Sequence, residues 1–314
     1  MNIKGKRVLV TGGSGVIGKE LIKMLIDREA IIMNADLVPL PNKGFDEVSN
    51  IEIDLAKDYL GFLREFDPEI IFHLAAKFER STESPGFWEN NWNNNVVLSH
   101  RIVDMLRYMD KCKVFVFASS YLIYDTNLYM SKTPSKVTYL KEDSQVNPRN
   151  ICGASKYYTE KELRFIQKCY NPSMRAINAR IYRVYGINSS EIINRWIDLY
   201  LAGEKGFVYK KENCFDLIYS RDVAEGLLRL ACSTADGVVN LGSGKATSID
   251  NVINIIGDIV PGFKEKMFDY FDDKGGYEAS CADLTKLDSF TGWTPKTQLY
   301  TGLEEVIKGK YGYN

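Results

Sequence analysis

Histidine is almost missing from this chain, with two among 314 residues. A His-rich metal site is therefore not what organises it, and no metal is expected. The six cysteines (Cys112, Cys152, Cys169, Cys214, Cys232 and Cys281) include no Cys-x-x-Cys pair. That argues against a disulfide framework or a zinc site and for the reduced thiols of a cytoplasmic protein. Neither sign of charge prevails: 40 Lys and Arg face 41 Asp and Glu, a net charge of −1. A general polyanion binder needs clustered cations, so no nucleic-acid partner is expected. No apolar run approaches the roughly twenty residues that span a bilayer, so no membrane association is expected either. The opening Met1-Asn2-Ile3-Lys4-Gly5-Lys6-Arg7 runs straight toward a strand and carries no signal-peptide pattern. Internal repeats and low-complexity segments are missing as well.

What is present begins with a hydrophobic content of 45%, enough to core one large domain or two intimate ones. The stretch that orders the rest is Val8-Leu9-Val10-Thr11-Gly12-Gly13-Ser14-Gly15-Val16-Ile17-Gly18. Its start reads as a buried strand. It breaks at the glycines, and helical spacing then begins at Val16, with Ile17, Leu21, Ile22, Met24 and Leu25 on the apolar face. A glycine-rich turn that opens a helix points unpaired N–H groups and the positive end of the helix dipole at one spot, which suits a pyrophosphate. A second apolar run, Ala30 to Ala35, ends in Asp36, placed to accept hydrogen bonds from ribose hydroxyls. Its neighbours Leu37 and Val38 offer no cation for a 2′-phosphate, so NAD is favoured over NADP.

Strand and helix patterns then alternate. Asn50 to Ile53 is a short strand ending at Asp54-Leu55, where Asp54 either meets the adenine or caps the following segment. Tyr59 to Glu65 reads as a helix. Pro68 to Ala76 is a buried strand ending in Leu74, Ala75 and Ala76, small enough to let a cofactor lie on the backbone. Lys77 to Asn93 reads as a polar, aromatic loop, and Asn95 to Tyr108 as a helix. Val114 to Ala118 is a strand running into Ser119, Ser120 and Tyr121. Asn150 to Tyr170 is a long helix, and the strand from Met174 leads to Ile181 and Arg183. Alternation of this kind predicts an α/β fold: a Rossmann-type doubly wound parallel sheet with right-handed crossovers. Residues 1–186, with later segments at about 214–241 returning to it, are expected to form this domain. A smaller α/β cap that binds substrate is expected mainly from 187–314.

These residues resemble the NAD-dependent epimerase/dehydratase group, the extended short-chain dehydrogenase/reductases, along nearly the whole chain. The resemblance rests on the glycine turn, His73-Leu74-Ala75-Ala76, Asn95 opening its helix, and Ser119-Ser120 four residues before Tyr124. It continues through Ser155-Lys156, Tyr185-Gly186, Ile218-Tyr219 with Asp222-Val223, Asn240-Leu241-Gly242-Ser243-Gly244, and Gly292-Trp293-x-Pro295. It implies a tightly held NAD and a nucleotide-sugar substrate oxidised at a sugar carbon, by an epimerase or a 4-keto oxidoreductase. It further implies a homodimer paired through the helices at Asn95 and Asn150. The cofactor contacts it implies are Gly12, Ser14, Gly15, Val16 and Ile17 in the turn, with Asp36, Asp54 and Leu55 at the adenosine end. Leu74, Ala75, Ala76, Asn95, Ser119, Lys156 and Ile181 complete them. Ser120, Tyr121 and Arg183 are the expected substrate contacts.

The chain departs from that family at one telling point. A Tyr-x-x-x-Lys pair normally carries the proton, the Lys cation lowering the Tyr pKa. Here Lys156 and Ser120 are in place, but the Tyr position is Cys152. Cys152 is then a thiolate base beside Lys156, or a small buried filler. Alternatively Tyr121 supplies the phenol from the opposite wall, or the chain binds NAD with lost or altered catalysis. Phe215 stands where an arginine often holds the substrate pyrophosphate, leaving Arg183, Lys210, Lys211 or Lys274 as substitutes. The acids of 4,6-dehydratases are replaced by Tyr121 and Leu122, which argues against that mechanism.

Overall fold

The computed structural model describes residues 1–78, 85–189, 192–264, 268–271 and 276–312. Its centre is a seven-stranded sheet, all parallel. From one edge to the other the strands are Gly237–Leu241, Arg175–Ile181, Val114–Ser120, Ile70–His73, Arg7–Thr11, Ile31–Asp36 and Ser49–Glu52. Thr11 is in register with Ala35 on one side and His73 on the other, so the carboxyl ends of these strands form one rim. The chain reverses direction of travel across the sheet between Arg7–Thr11 and Ile70–His73. Such a switch point leaves a crevice outside the rim.

The central strands are apolar on both faces because both are covered. Val8, Val10, Phe72 and Ile177 pack with Leu21, Ile22 and Leu25 of helix Val16–Ile26 and with Val223 and Leu227 of helix Ser220–Cys232. On the other face Leu9, Ile71, Phe115 and Ala176 meet Leu98, Ile102 and Val103 of helix Leu98–Met105 and Leu163 and Ile166 of helix Ile151–Cys169. A third core gathers Trp196, Ile197, Ile253, Ile256, Phe263 and Leu303 beside the rim.

Several segments differ from the sequence expectation. Of the stretch expected to return at 214–241, Gly237–Leu241 does join the main sheet. Cys214–Tyr219 instead lies between Arg183–Tyr185 and Ala246–Ser248 in a separate three-stranded sheet. The helix expected at Tyr59–Glu65 is the single turn Phe62–Phe66. Of the expected loop Lys77–Asn93, residues 79–84 lie outside the described set, but Pro85–Asn91 is helical and passes directly into a π-helical turn, Trp92–Val97. Asn95 therefore lies inside that turn and does not open a helix. Asparagine is a poor helix former; here side-chain bonds to other segments, described below, hold it in place.

Candidate active site

The crevice at the switch point has two halves that share Gly12, Gly15, Leu74 and Ala76. The outer half, about 470 Å³, is lined by Ser14, Asp36, Asp54, Leu55 and Ala75, with Lys19 alongside. The inner half, about 400 Å³, is lined by Val16, Ile17, Ser119, Ser120, Tyr121, Cys152, Lys156, Ile181 and Arg183.

The turn itself is built for a close approach. Gly12 has φ +73°, and a Cβ there would sit 2.6 Å from the Ala75 nitrogen, so the two strand ends meet only because the residue is glycine. A Cβ on Gly18 would fall 2.5 Å from the Gly12 carbonyl oxygen, which fixes how closely helix Val16–Ile26 seats on the sheet. That helix has Gly15 at its N-cap, no side-chain cap and no acid in its first turn. Its leading N–H groups face the crevice and suit a diphosphate. The Asp36 carboxylate accepts the Ser14 N–H (2.9 Å) and the Val38 N–H (3.3 Å), and Ser14 Oγ donates to the Val38 carbonyl (2.5 Å). The residues present thus fit a dinucleotide: small where a phosphate must touch backbone, acidic where ribose hydroxyls need an acceptor.

Asp54 caps no helix. It accepts the Ala56 N–H (3.0 Å) and pairs with Lys57 (2.9 Å), whose hydrogen bond holds its carboxyl below the usual range. Asn95 is buried, accepts the Lys77 N–H and donates to the Lys77 carbonyl, both at 2.8 Å, and donates to Asn91 (2.7 Å). Asn91 in turn donates to Ser155 Oγ (2.7 Å). This relay fixes the chain just past Ala76 against the helix that carries Cys152 and Lys156. Ser119 donates to Glu160 (2.6 Å), which is held by Arg180 in a buried pair at 2.9 Å, so its hydroxyl is committed behind the rim.

Cys152, Lys156 and Glu160 fall on one stripe of helix Ile151–Cys169. Asn150 caps that helix by accepting the Gly153 N–H (2.9 Å), and a Cβ at Gly153 would reach 2.5 Å from the Leu122 carbonyl oxygen. The helix start is therefore locked against Tyr121-Leu122. Lys156 is 8% exposed, and its Nζ lies 4.8 Å from the centroid of Phe117, whose other neighbour is His73, stacked at 5.6 Å. Burial lowers the Lys156 pKa to about 8. Burial, and secondarily the Lys156 charge, lowers His73 to about 3. His73 bridges Thr11 (2.7 Å) and Ser99 (3.0 Å) as a neutral clamp. Ser120 Oγ accepts the Leu122 N–H (3.2 Å), so its own hydrogen is available to a substrate oxygen.

Tyr121 does not present a free phenol. Its ring stacks on Tyr182 at 4.9 Å, its hydroxyl donates to Glu278 (3.3 Å), and burial drives its pKa well upward. As a base at neutral pH it is a poor replacement for the missing tyrosine. Arg183 Nη2 also reaches Glu278 (3.1 Å). Lys210 lies over the Tyr277 ring, 4.1 Å from its centroid, and neither it nor Lys211 lines the crevice; Lys274 is outside the described residues. Sequence reasoning missed Arg149, which lines the inner half and pairs with Glu278 at 2.6 Å. Its place just before the helix-capping Asn150 was the available signal. Glu278 lies in a stretch without periodicity and gave none. Among the described residues no group of three His, Cys, Asp or Glu could hold a metal.

A switch-point crevice with a glycine turn, an acid at one end and a buried lysine at the other defines a dinucleotide-binding α/β enzyme. The model of the NAD dependent epimerase/dehydratase family matches residues 8–242, and the chain belongs to that family. NAD is accordingly its cofactor. The chain is similar to a putative UDP-glucose 4-epimerase of Methanocaldococcus jannaschii (26% identity, covering 96% of this chain and 97% of that one). It is also similar to the UDP-glucose 4-epimerase of Mycolicibacterium smegmatis (26%, covering 96% and 97%). Among solved structures, a UDP-N-acetylglucosamine 4-epimerase from Methanobrevibacter ruminantium, in complex with UDP-N-acetylmuramic acid, superposes with a TM-score of 0.82 (26% identity, 97% and 98% covered). MoeE5 in complex with UDP-glucuronic acid and NAD gives 0.80 (26%, 95% and 96%). Among the described residues no helix is long and apolar enough to cross a membrane.

Proposed function

We propose that this enzyme binds a nucleotide sugar against its NAD and inverts a hydroxyl-bearing sugar carbon, as a 4-epimerase; a 4-keto oxidoreductase would share the first half of that reaction. The observation that carries the reading is that the buried Lys156 and Ser120 line the same inner half of a crevice shaped for a dinucleotide. The relatives named above support the nucleotide sugar as substrate class. Bound NAD supplies a hydride acceptor and, on return, a donor. Ser120 orients the sugar hydroxyl through its own O–H. Lys156, poised near neutrality by burial, and the Cys152 thiol are the groups at hand for the hydroxyl proton. The elements after residue 186, apart from helix Ser220–Cys232 and strand Gly237–Leu241 of the main sheet layer, serve mainly as the substrate cap. Free cysteines support a reducing, cytoplasmic setting, and the exposed face of the Leu98–Met105 and Ile151–Cys169 helices supports a homodimer.

The test is to incubate NAD-loaded protein with UDP-glucose, UDP-N-acetylglucosamine and UDP-glucuronic acid, following reduced-cofactor absorbance and the epimeric products by NMR. Interconversion of at least one pair is expected. Folded, NAD-loaded protein that forms neither reduced cofactor nor product with any of them would overturn the proposal. It would favour the second reading, an NAD-binding protein whose catalysis lapsed with the tyrosine, which Cys152 motivates.

A further inference from the structure

Helix Ile151–Cys169 is fastened twice to the short segment that carries Ser120. At Gly153 its backbone packs on the Leu122 carbonyl, where a Cβ would come within 2.5 Å. About two turns further on, Glu160 accepts the Ser119 hydroxyl at 2.6 Å. Ser120 lies between Ser119 and Leu122 in the chain, and Lys156 between Gly153 and Glu160. The two fastenings therefore bracket both groups, each of which lines the inner crevice. The one at Glu160 reaches further than the first strand. Its Oε1 also accepts Arg180 Nε (3.1 Å), and its Oε2 accepts Arg180 Nη2 (2.9 Å). Arg180 is in register with Ser119 on the neighbouring strand, so one carboxylate ties the helix to two strands. Arg180 Nη1 donates to the Glu142 carbonyl (3.2 Å), and its guanidinium lies 4.8 Å from the centroid of Tyr124, whose hydroxyl donates to Asn240 (2.6 Å). The Glu160 and Arg180 side chains are both 4% exposed, and neither lines either half of the crevice.

A buried ion pair is a costly way to hold a helix to a sheet. Apolar side chains of similar volume often hold a fold as well or better. What the pair has and they lack is direction: charge-assisted hydrogen bonds from Ser119 and from the planar Arg180 fork fix distance and angle together. We propose that Glu160 is a positioning residue, which sets the span between Ser120 and Lys156 by tying the helix to Ser119 and Arg180. It lies behind the crevice wall and acts through the groups it holds. The proposal rests on the nucleotide-sugar reading above, because the span matters to a sugar hydroxyl that Ser120 orients and whose proton leaves toward the helix. A misplacement of about 1 Å costs such a step about a hundredfold in rate. A slack helix would thus slow turnover without loosening the substrate.

The test compares the NAD-loaded wild type with the double variant Glu160→Leu/Arg180→Met, which removes both charges together and leaves neither stranded. The urea midpoint of the variant is expected to equal or exceed that of the wild type. Its KM for the UDP sugar turned over is expected to stay within about threefold, while kcat falls at least about tenfold. The pH profile of kcat keeps its shape, since neither residue handles the substrate proton. A pair that only holds the fold together would leave kcat per folded molecule alone, so a variant within about twofold of wild type overturns the proposal. Should the double variant not fold, Ser119→Ala, which keeps the ion pair, carries the test. A fall in kcat of at least about threefold at constant KM upholds the proposal, and an unchanged kcat overturns it. Crystal structures of the NAD-loaded proteins keep this separate from the proposed function. If the wild type turns over no nucleotide sugar, that reading fails, and the distance from Ser120 Oγ to Lys156 Nζ decides the positioning role. A change of at least about 0.5 Å in the variant upholds it, and an unchanged distance overturns it.

Discussion

At the scale of the residue, the substitution that matters is cysteine at position 152. The thiol is 2% exposed yet borders the inner crevice, four residues and one helical turn from Lys156. A tyrosine there would project its phenol into the crevice and toward the lysine. Cys152→Tyr is therefore expected to raise kcat by about 10²-fold, the low end of what a positioned proton acceptor contributes. Cys152→Ala is expected to change it by less than about threefold. Steady-state assays of both variants decide the matter: a hundredfold loss in Cys152→Ala would assign the proton to the thiol. Lys156 makes a separate prediction through stability. With a folded pKa of about 8 against an ordinary 10.5, the buried ammonium is a cost to the cofactor-free fold. Below pH 8 both folded and unfolded chains hold the proton and the cost is full. Between about 8 and 10.5 the unfolded chain keeps a proton that the folded one has released, so stability rises with pH across that interval. Lys156→Met should accordingly be the more stable protein at pH 7, by up to about 3 kcal/mol. Urea titrations of the two cofactor-free proteins should show the difference shrinking from pH 7 to pH 10; a difference independent of pH would refute it.

At the scale of the element, the π-helical turn Trp92–Val97 does the positioning. Asn95 satisfies both backbone groups of Lys77, and through Asn91 it reaches Ser155 on the helix that carries Cys152 and Lys156. Asn95→Ala leaves a partly buried N–H and C=O without their partner and should cost roughly 2–3 kcal/mol, read from the shift in urea midpoint. It should also weaken NAD binding, since Ala76 at the crevice floor is one bond from Lys77. Unchanged stability would mean the relay is incidental. This element also shows what a sequence hides. Helix Ile151–Cys169 was legible as the long helix expected at Asn150 to Tyr170, and the phosphate turn because its glycines, strand and helix are adjacent in the chain. The run Asn90-Asn91-Trp92-Asn93 carries no helical period, so it reads as the end of a loop, with a helix expected only from Asn95. Its structure comes from partners on other segments. The same holds for the arginine pair: Glu278 meets Arg149 and Arg183 across 129 and 95 residues of chain, a separation that local patterning does not bridge.

At the scale of the whole molecule, the layer formed by Leu98–Met105 and Ile151–Cys169 turns an aromatic surface outward. Tyr158 and Phe165 are 49% and 58% exposed, and with Glu162 they occupy one stripe at i, i+4 and i+7. Glu162 bonds His100 of the neighbouring helix, so the two helices present a single face. Tyr108 and Tyr170 extend it, at 55% and 52% exposed. A second copy related by a two-fold axis would set this stripe against itself, and contacts of this type become stable once about 800 Å² per partner is covered. Sedimentation equilibrium of the wild type at micromolar concentration is expected to give twice the 35.7 kDa chain mass. Phe165→Asp places a charge at the middle of that stripe and is expected to raise the dimer dissociation constant by at least about tenfold, the cost of losing one aromatic anchor. Phe165 lines neither half of the crevice, so the same variant should keep its affinity for NAD. A wild type that sediments at the single-chain mass would remove the two-fold pairing, and with it the reason for these aromatics to face water.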